Sequence, residues 1–228
     1  MKILMILTSS ATMGDSAEPT GVWFEELATP YYAFVDAGAS VTLASIAGGA
    51  VPVDPRSVRP RGENEPSVER FLGDAAASAS LKATPPVAAV DVSGYDAVFL
   101  PGGHGTMWDL PGSKALAALL GKAWASGKVV AAVCHGPAGL VGVKDAEGNP
   151  LVRGRRLTSF TDSEEQAVGL TATVPFLLES RLRELGGRYE SAGNFQPFAI
   201  ADGRLVTGQN PASSALTAKL TLEALKAR

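Results

Sequence analysis

An α/β fold with a mostly parallel central sheet covered by helices on both faces is what the hydropathy pattern of this chain predicts. Two observations carry it. Short apolar runs alternate with longer amphipathic stretches along the chain, and the inner runs are apolar on both faces rather than alternating apolar with polar. A strand buried on both sides needs helices above and below it, joined through crossover connections.

The elements follow in order. Residues 2–7 are apolar and read as a first buried strand; the run is too short for a membrane span and no signal-peptide cleavage region follows it. A helix is predicted over 21–37 and a second strand over 40–46. Residues 53–94 break the rhythm, with proline, alanine and scattered charge and one short helix at 67–72, and are read as an insertion or cap over the site, a floppy surface excursion being the alternative. Strands at 97–100 and 129–133 flank a helix at 113–126. A short helix at 136–140, a strand at 156–159, a helix at 174–185, a strand at 204–207 and a helix at 213–226 complete the pattern. The 228 residues suit a single domain, 1–228.

Composition narrows the function classes. Hydrophobic residues make up 46% and charged residues 19%, as in a globular chain. A net charge of −3 gives no basic footprint for nucleic acid, and the densest basic group, Arg153 with Arg155 and Arg156, reads as a solvated turn. One cysteine forbids an internal disulfide, and a reducing cytoplasm is the setting expected for it. One thiol and two histidines also make a zinc cluster improbable, so no metal and no cofactor are expected.

Open α/β sheets place their sites at the carboxyl ends of the strands. Three loops qualify: residues 8–21, residues 101–106 with Gly102, Gly103 and His104, and the turn at Cys134. Cys134 ends the run Val129-Val130-Ala131-Ala132-Val133 and precedes His135-Gly136-Pro137, so the only thiol and one of two histidines are neighbours. Such a strand-to-helix turn is expected to expose the side chain and aim amide N–H groups at it, favouring thiolate. The amides of Gly102, Gly103 and His135 are candidate oxyanion donors. Proton carriers are scarce: the two histidines, and the carboxylates Asp15, Glu18, Glu25, Glu26, Asp162, Glu164 and Glu165 near predicted strand ends. Trp23 and Trp108 are aromatic residues expected mainly to pack.

The stretches Ala131-Ala132-Val133-Cys134-His135-Gly136-Pro137, Phe99-Leu100-Pro101-Gly102-Gly103-His104-Gly105 and Thr20-Gly21-Val22-Trp23-Phe24-Glu25-Glu26 resemble the ThiJ/PfpI superfamily, whose fold is shared with class I glutamine amidotransferases. Within it they resemble the glyoxalase III-like heat-shock branch, and residues 157–165 and 202–213 agree with that branch as well. The resemblance implies a flavodoxin-like three-layer sandwich with the cysteine on a strained elbow, and frequent homodimers. It implies Cys134 as nucleophile, His135 as its neighbour, Glu165 as the acid completing the triad-like arrangement, and Glu26 as the helix glutamate that bonds the sulfur and shuttles protons.

No histidine follows position 135, whereas glutaminase members of the superfamily draw theirs from much later in the chain. Glutamine hydrolysis is therefore disfavoured. The chemistry implied is glutathione-independent conversion of methylglyoxal to lactate through a Cys134 hemithioacetal, a lyase activity of glyoxalase III or D-lactate dehydratase type. Deglycation of early glycation adducts is the nearest alternative. A stress-related holdase chaperone or cysteine redox sensor, without small-molecule turnover, is the alternative of a different class.

Overall fold

A computed structural model describes residues 1–227. In chain order its elements are β1 (Lys2–Leu7), α1 (Phe24–Asp36), β2 (Ser40–Ser45), α2 (Pro66–Gly73), α3 (Ala75–Lys82), β3 (Ala97–Leu100), α4 (Thr106–Asp109), α5 (Lys114–Ala125), β4 (Val129–Val133), β5 (Arg156–Leu157), α6 (Asp162–Ala167), α7 (Leu178–Glu184), β6 (Arg188–Tyr189), β7 (Ala199–Asp202), β8 (Leu205–Gly208) and α8 (Ser214–Lys226). Six strands form the main sheet in the order β2-β1-β3-β4-β8-β7. All neighbours are parallel except β7, which runs antiparallel to β8 at the edge.

The period-two alternation of strand side chains divides the core into two layers. On one side Ile3, Met5 and Leu7 pack with Phe99, Val129, Ala131 and Val133 beneath α1 and α8; on the other, Leu4 and Ile6 join Val98, Leu100, Val130 and Ala132 beneath α5. Every one of these side chains is fully buried, which is why the runs carry no polar residue on either face. The result is the predicted three-layer α/β sandwich. No helix among the described residues is long and apolar enough to cross a membrane.

Several elements differ from the sequence expectation, each for a local reason. Helix α1 starts at Phe24, not residue 21, because Val22 is held in extended conformation by its N–H bond to Pro52 O (2.9 Å) and its bridge to Val53. The predicted strand 156–159 is only two residues long and pairs with β6 in a separate two-stranded sheet. Strand β7 carries one buried residue in four, too weak an apolar pattern to be seen, and turns into β8 through Gly203 at φ +59°. The helix expected over 174–185 begins only at Leu178. Within 53–94, α2 packs on α1: Phe71 meets the rings of Phe24, Tyr31 and Tyr32 edge-on at 5.3, 5.3 and 6.1 Å.

Candidate active site

Strands β3 and β4 lie side by side, so the loops at their carboxyl ends meet. The β4 loop begins with Cys134 at φ +59°, a left-handed conformation that a residue with a Cβ adopts only when its surroundings over-determine it. Here both peptide groups are held: Cys134 N–H donates to Gly208 O on β8 (2.9 Å), and Cys134 O accepts from Phe160 N–H (2.9 Å). The chain then drops against β3, where a Cβ at Gly136 would collide with Leu100 O, and Pro137 opens a short 3-10 turn with its fixed φ. This is the strained elbow.

The elbow points the thiol inward. Cys134 is 3% exposed, so the expectation of an exposed thiol poised as thiolate is corrected. Burial, followed by the Glu26 carboxylate, pushes the thiol well above its ordinary value, against the opposing pull of the His135 N–H. The thiol therefore needs a base within reach. His135 Nδ1 lies 3.3 Å from Sγ, and its Nε2 lies 2.7 Å from Glu165 Oε2.

Glu165 stands at the start of α6, and its other oxygen is engaged as well: His104 Nε2, from the β3 loop, is 2.8 Å from Oε1. Burial raises the Glu165 carboxyl, but the bonds from His104 and His135 outweigh that and hold it down at about 2. An ionised carboxylate only accepts hydrogen bonds. Both Nε2 atoms consequently donate to it, which leaves His135 Nδ1 as the ring atom that faces the sulfur. His104, expected at an oxyanion or substrate position, lines the cavity and is largely buried against Glu165 and His135; burial and then the His135 charge lower it to about 4, so it is neutral at pH 7.

Glu26 reaches the same sulfur from the first turn of α1 and is fully buried. Its Oε2 accepts from Gly102 N–H (2.8 Å), while Oε1 has no hydrogen-bond partner among the described residues. Burial drives this carboxyl well above the ordinary range, only partly offset by the Cys134 thiol and the Gly102 amide, and the neutral acid is the favoured form. Because Gly102 N–H is committed to Glu26, it leaves the set of expected oxyanion donors. Gly103, at φ +100° and pressed on the Trp23 backbone, makes no amide hydrogen bond with the described residues, and the His135 amide sits beside the sulfur.

Above Cys134 lies a cavity of about 370 Å³, walled by Trp23, Phe160, Val168 and Phe195 and carrying Arg56 on one side. Trp23 thus lines the site, while Trp108, half-buried on α4, packs against the core. Phe160 lies 4.5 Å centroid to centroid from His135 and supports its ring. The remaining carboxylates are elsewhere: Asp15 and Glu18 are exposed, Glu25 lies on the outer side of α1, and Asp162 accepts from Ser180. Glu164, adjacent to Glu165, is fully buried but forms a capping box with Thr161. His104, His135 and Glu165 bring ligand atoms within 4.8 Å of one another, the one such grouping of metal-ligating side chains among the described residues. Their own hydrogen bonds already occupy both carboxylate oxygens and both Nε2 atoms.

The family model described as "DJ-1/PfpI family" matches residues 20–224, from the Thr20 turn before Glu26 into α8. The chain belongs to the DJ-1/PfpI family. It is 33% identical to "Glyoxalase 3" of Candida albicans across 99% of each chain, and 34% identical to "Glutathione-independent glyoxalase HSP31" of Saccharomyces cerevisiae across 99% of this chain and 98% of that one. The crystal structure of glyoxalase III from Candida albicans superposes with a TM-score of 0.90 at 32% identity, covering 100% of this chain and 98% of that one. The flavodoxin-like DJ-1/PfpI architecture matches the sheet order found here, including the crossing between β1 and β3 at which such folds build sites. What sequence reasoning missed in this DJ-1/PfpI site is its wall: Arg56, Phe160 and Phe195 come from three segments far apart in the chain and carry no local motif.

Proposed function

We propose that the protein is a glutathione-independent glyoxalase that converts methylglyoxal to lactate, a lyase of the glyoxalase III or D-lactate dehydratase type. The observation that carries this reading is the pairing around one sulfur of a base and an acid: His135 Nδ1 at 3.3 Å, backed by Glu165, and the neutral, buried Glu26. The glyoxalase relatives supply the substrate class.

In this mechanism His135 takes the thiol proton as sulfur bonds to the aldehyde carbon, and Glu26 gives its proton to the oxyanion, leaving a hemithioacetal. Gly103 and His135 amides assist that oxygen. The Glu26 carboxylate, a strong base because it is buried, then removes the hydrogen from the same carbon while His135 returns its proton to the neighbouring ketone oxygen. The enediol so formed takes a proton from Glu26 at the second carbon and loses a hydroxyl proton to His135, giving a thioester. Water adds to the thioester with one proton passing to Glu26, His135 protonates the departing sulfur, and lactate leaves with the site restored. No redox partner is required, because one carbon is oxidised as its neighbour is reduced.

Purified protein incubated with methylglyoxal and no glutathione is expected to consume the dicarbonyl and form lactate in equal amounts, and Cys134→Ala to do neither. Equal activity in that variant removes the mechanism. Deglycation is separated by a preformed adduct as substrate, and a holdase role by aggregation suppression that survives Cys134→Ala. A homodimer in the cytoplasm, with 53–94 acting as the cap that brings Arg56 to the cavity, belongs to the same proposal.

A further inference from the structure

The cavity is larger than a three-carbon dicarbonyl needs. About 370 Å³ lies within the range of roughly 300–1,000 Å³ that holds drug-sized ligands, and its far wall is built from Trp23, Phe160 and Phe195. Phe195 is 46% exposed at φ +59°, so an aromatic side chain is held at the mouth by a backbone conformation that costs free energy to keep.

One side of this apolar wall carries a cation. Arg56 follows Asp54, which is fully buried and accepts from Arg56 N–H (2.9 Å), Arg56 Nε (2.9 Å), Arg56 Nη2 (2.6 Å) and the Thr20 hydroxyl (2.9 Å). That fork fixes the plane of the guanidinium without consuming it: Nη1 has no hydrogen bond or ion pair among the described residues, and the side chain remains 44% exposed. Arg56 lines the same cavity as Cys134 and His135, and its charge is felt at His104. A preorientated guanidinium with a free edge is suited to a carboxylate or phosphate. Methylglyoxal has no group for it.

We infer that Arg56 is a specificity-determining residue, and that the site is built for 2-oxoaldehydes whose far end is an apolar body carrying a terminal anionic group. The dicarbonyl sits at Cys134, the body lies along Trp23, Phe160 and Phe195, and the anion meets the free edge of Arg56. This inference rests on the glyoxalase reading for the reacting end only.

The test compares phenylglyoxal with 4-carboxyphenylglyoxal, two substrates that differ by one carboxylate. Wild-type protein is expected to favour the acid in kcat/KM by roughly tenfold, mainly through KM. The ratio of the two is expected to fall close to unity in Arg56→Gln and to stay partly raised in Arg56→Lys; a ratio is independent of how much of each preparation is folded. An unchanged ratio in Arg56→Gln overturns the inference, and so does methylglyoxal turnover with neither aryl substrate accepted. Should none of the three dicarbonyls react, the glyoxalase reading fails, and calorimetric binding of 4-carboxymandelate against mandelate still decides the role of Arg56: tighter binding of the dianion, lost in Arg56→Gln, upholds it, and equal binding rejects it.

Discussion

His104 and His135 stand with ring centroids 4.1 Å apart and donate to opposite oxygens of Glu165. Two imidazoles from different loops thus share one carboxylate. Only His135 reaches the sulfur, so His104 acts through Glu165, as a positioning residue that keeps the carboxylate ionised and its second oxygen aimed at His135.

Removing that support has a measurable consequence. In His104→Ala, Glu165 Oε1 loses a charge-assisted bond, the carboxyl moves up from about 2, and the His135 tautomer is less firmly set. kcat is expected to fall roughly tenfold with KM little changed, and the acid limb of the pH–rate profile to move to higher pH. His104→Gln, which can still donate to Glu165, should restore part of both.

Glu26→Gln tests the acid on the other side of the sulfur. The amide keeps the volume and can still accept from Gly102 N–H, but it exchanges no proton, and a loss of about 10²–10⁴ in kcat is expected. The thiol should become more acidic at the same time, because once Glu26 is ionised its charge opposes the thiolate and is the second cause, after burial, of the raised value. Iodoacetamide alkylation of Cys134 followed against pH should shift to lower pH in the variant. An alkylation profile unchanged from wild type would mean the two groups do not share a proton.

The legible and the hidden parts of this molecule divide by range. β1, β3 and β4 were readable because burial on both faces removes polar residues from the sequence itself, and Cys134-His135-Gly136-Pro137 was readable because a sharp turn needs those residue types locally. β7 was invisible because an edge strand with one buried residue carries no pattern. Glu165 was selected by family resemblance and not by spacing. The bond from His104 to Glu165 spans 61 residues, and nothing near either position announces it. The buried state of Cys134 escaped for the same reason: Glu26, Phe160 and the cap that enclose it arrive from distant segments.

Gly102 is required by crowding. A Cβ there would lie 2.6 Å from Glu26 Oε2 and 2.7 Å from both His135 N and Val133 O; the last two are backbone atoms that cannot swing aside, and the Glu26 oxygen is tied to the Gly102 N–H. Gly102→Ala is expected to cost about 1–3 kcal/mol and to displace Glu26 from the sulfur. Thermal unfolding and turnover measured on the same sample should therefore fall together. Full activity at lowered stability would show that Glu26 had not moved.

The acid stability of the fold has a definite sign. His104 sits at about 4 against an ordinary 6.5, so the unfolded chain takes up that proton first and stability is lost as pH falls from 6.5 toward 4. Glu165, at about 2 against 4.5, extends the loss from 4.5 toward 2. Glu26 works in the opposite sense: its raised carboxyl adds stability at low pH that disappears as pH rises through the folded value. Across pH 4.5 to 6.5 the His104 and Glu26 contributions oppose each other, so on acidification the melting temperature should fall more steeply in Glu26→Gln than in wild type and less steeply in His104→Gln.

Glu164 and Glu165 are adjacent and buried, yet they serve different ends. Glu164 Oε1 accepts from Phe195 N–H (2.7 Å), Asn210 Nδ2 (2.8 Å) and Gln209 Nε2 (3.1 Å), while Oε2 accepts from Thr161 N–H (2.9 Å) and its hydroxyl (3.1 Å). In Glu164→Gln, whichever way the amide is turned, its NH₂ faces groups that donate. At least one buried donor is then stranded, at a cost of about 1–3 kcal/mol. If the amide turns its NH₂ toward Phe195, the loop that holds this aromatic ring at the cavity mouth loses its anchor. Unfolding by denaturant should show the lost stability, and faster hydrogen exchange at the Phe195 amide should show that the anchor is gone. The Cys134–His135–Glu165 contacts involve neither Glu164 oxygen, so kcat on methylglyoxal should fall far less than in Glu26→Gln. A kcat loss as large as that of Glu26→Gln would place Glu164 in the chemistry and overturn its assignment as the clasp of the Phe195 loop.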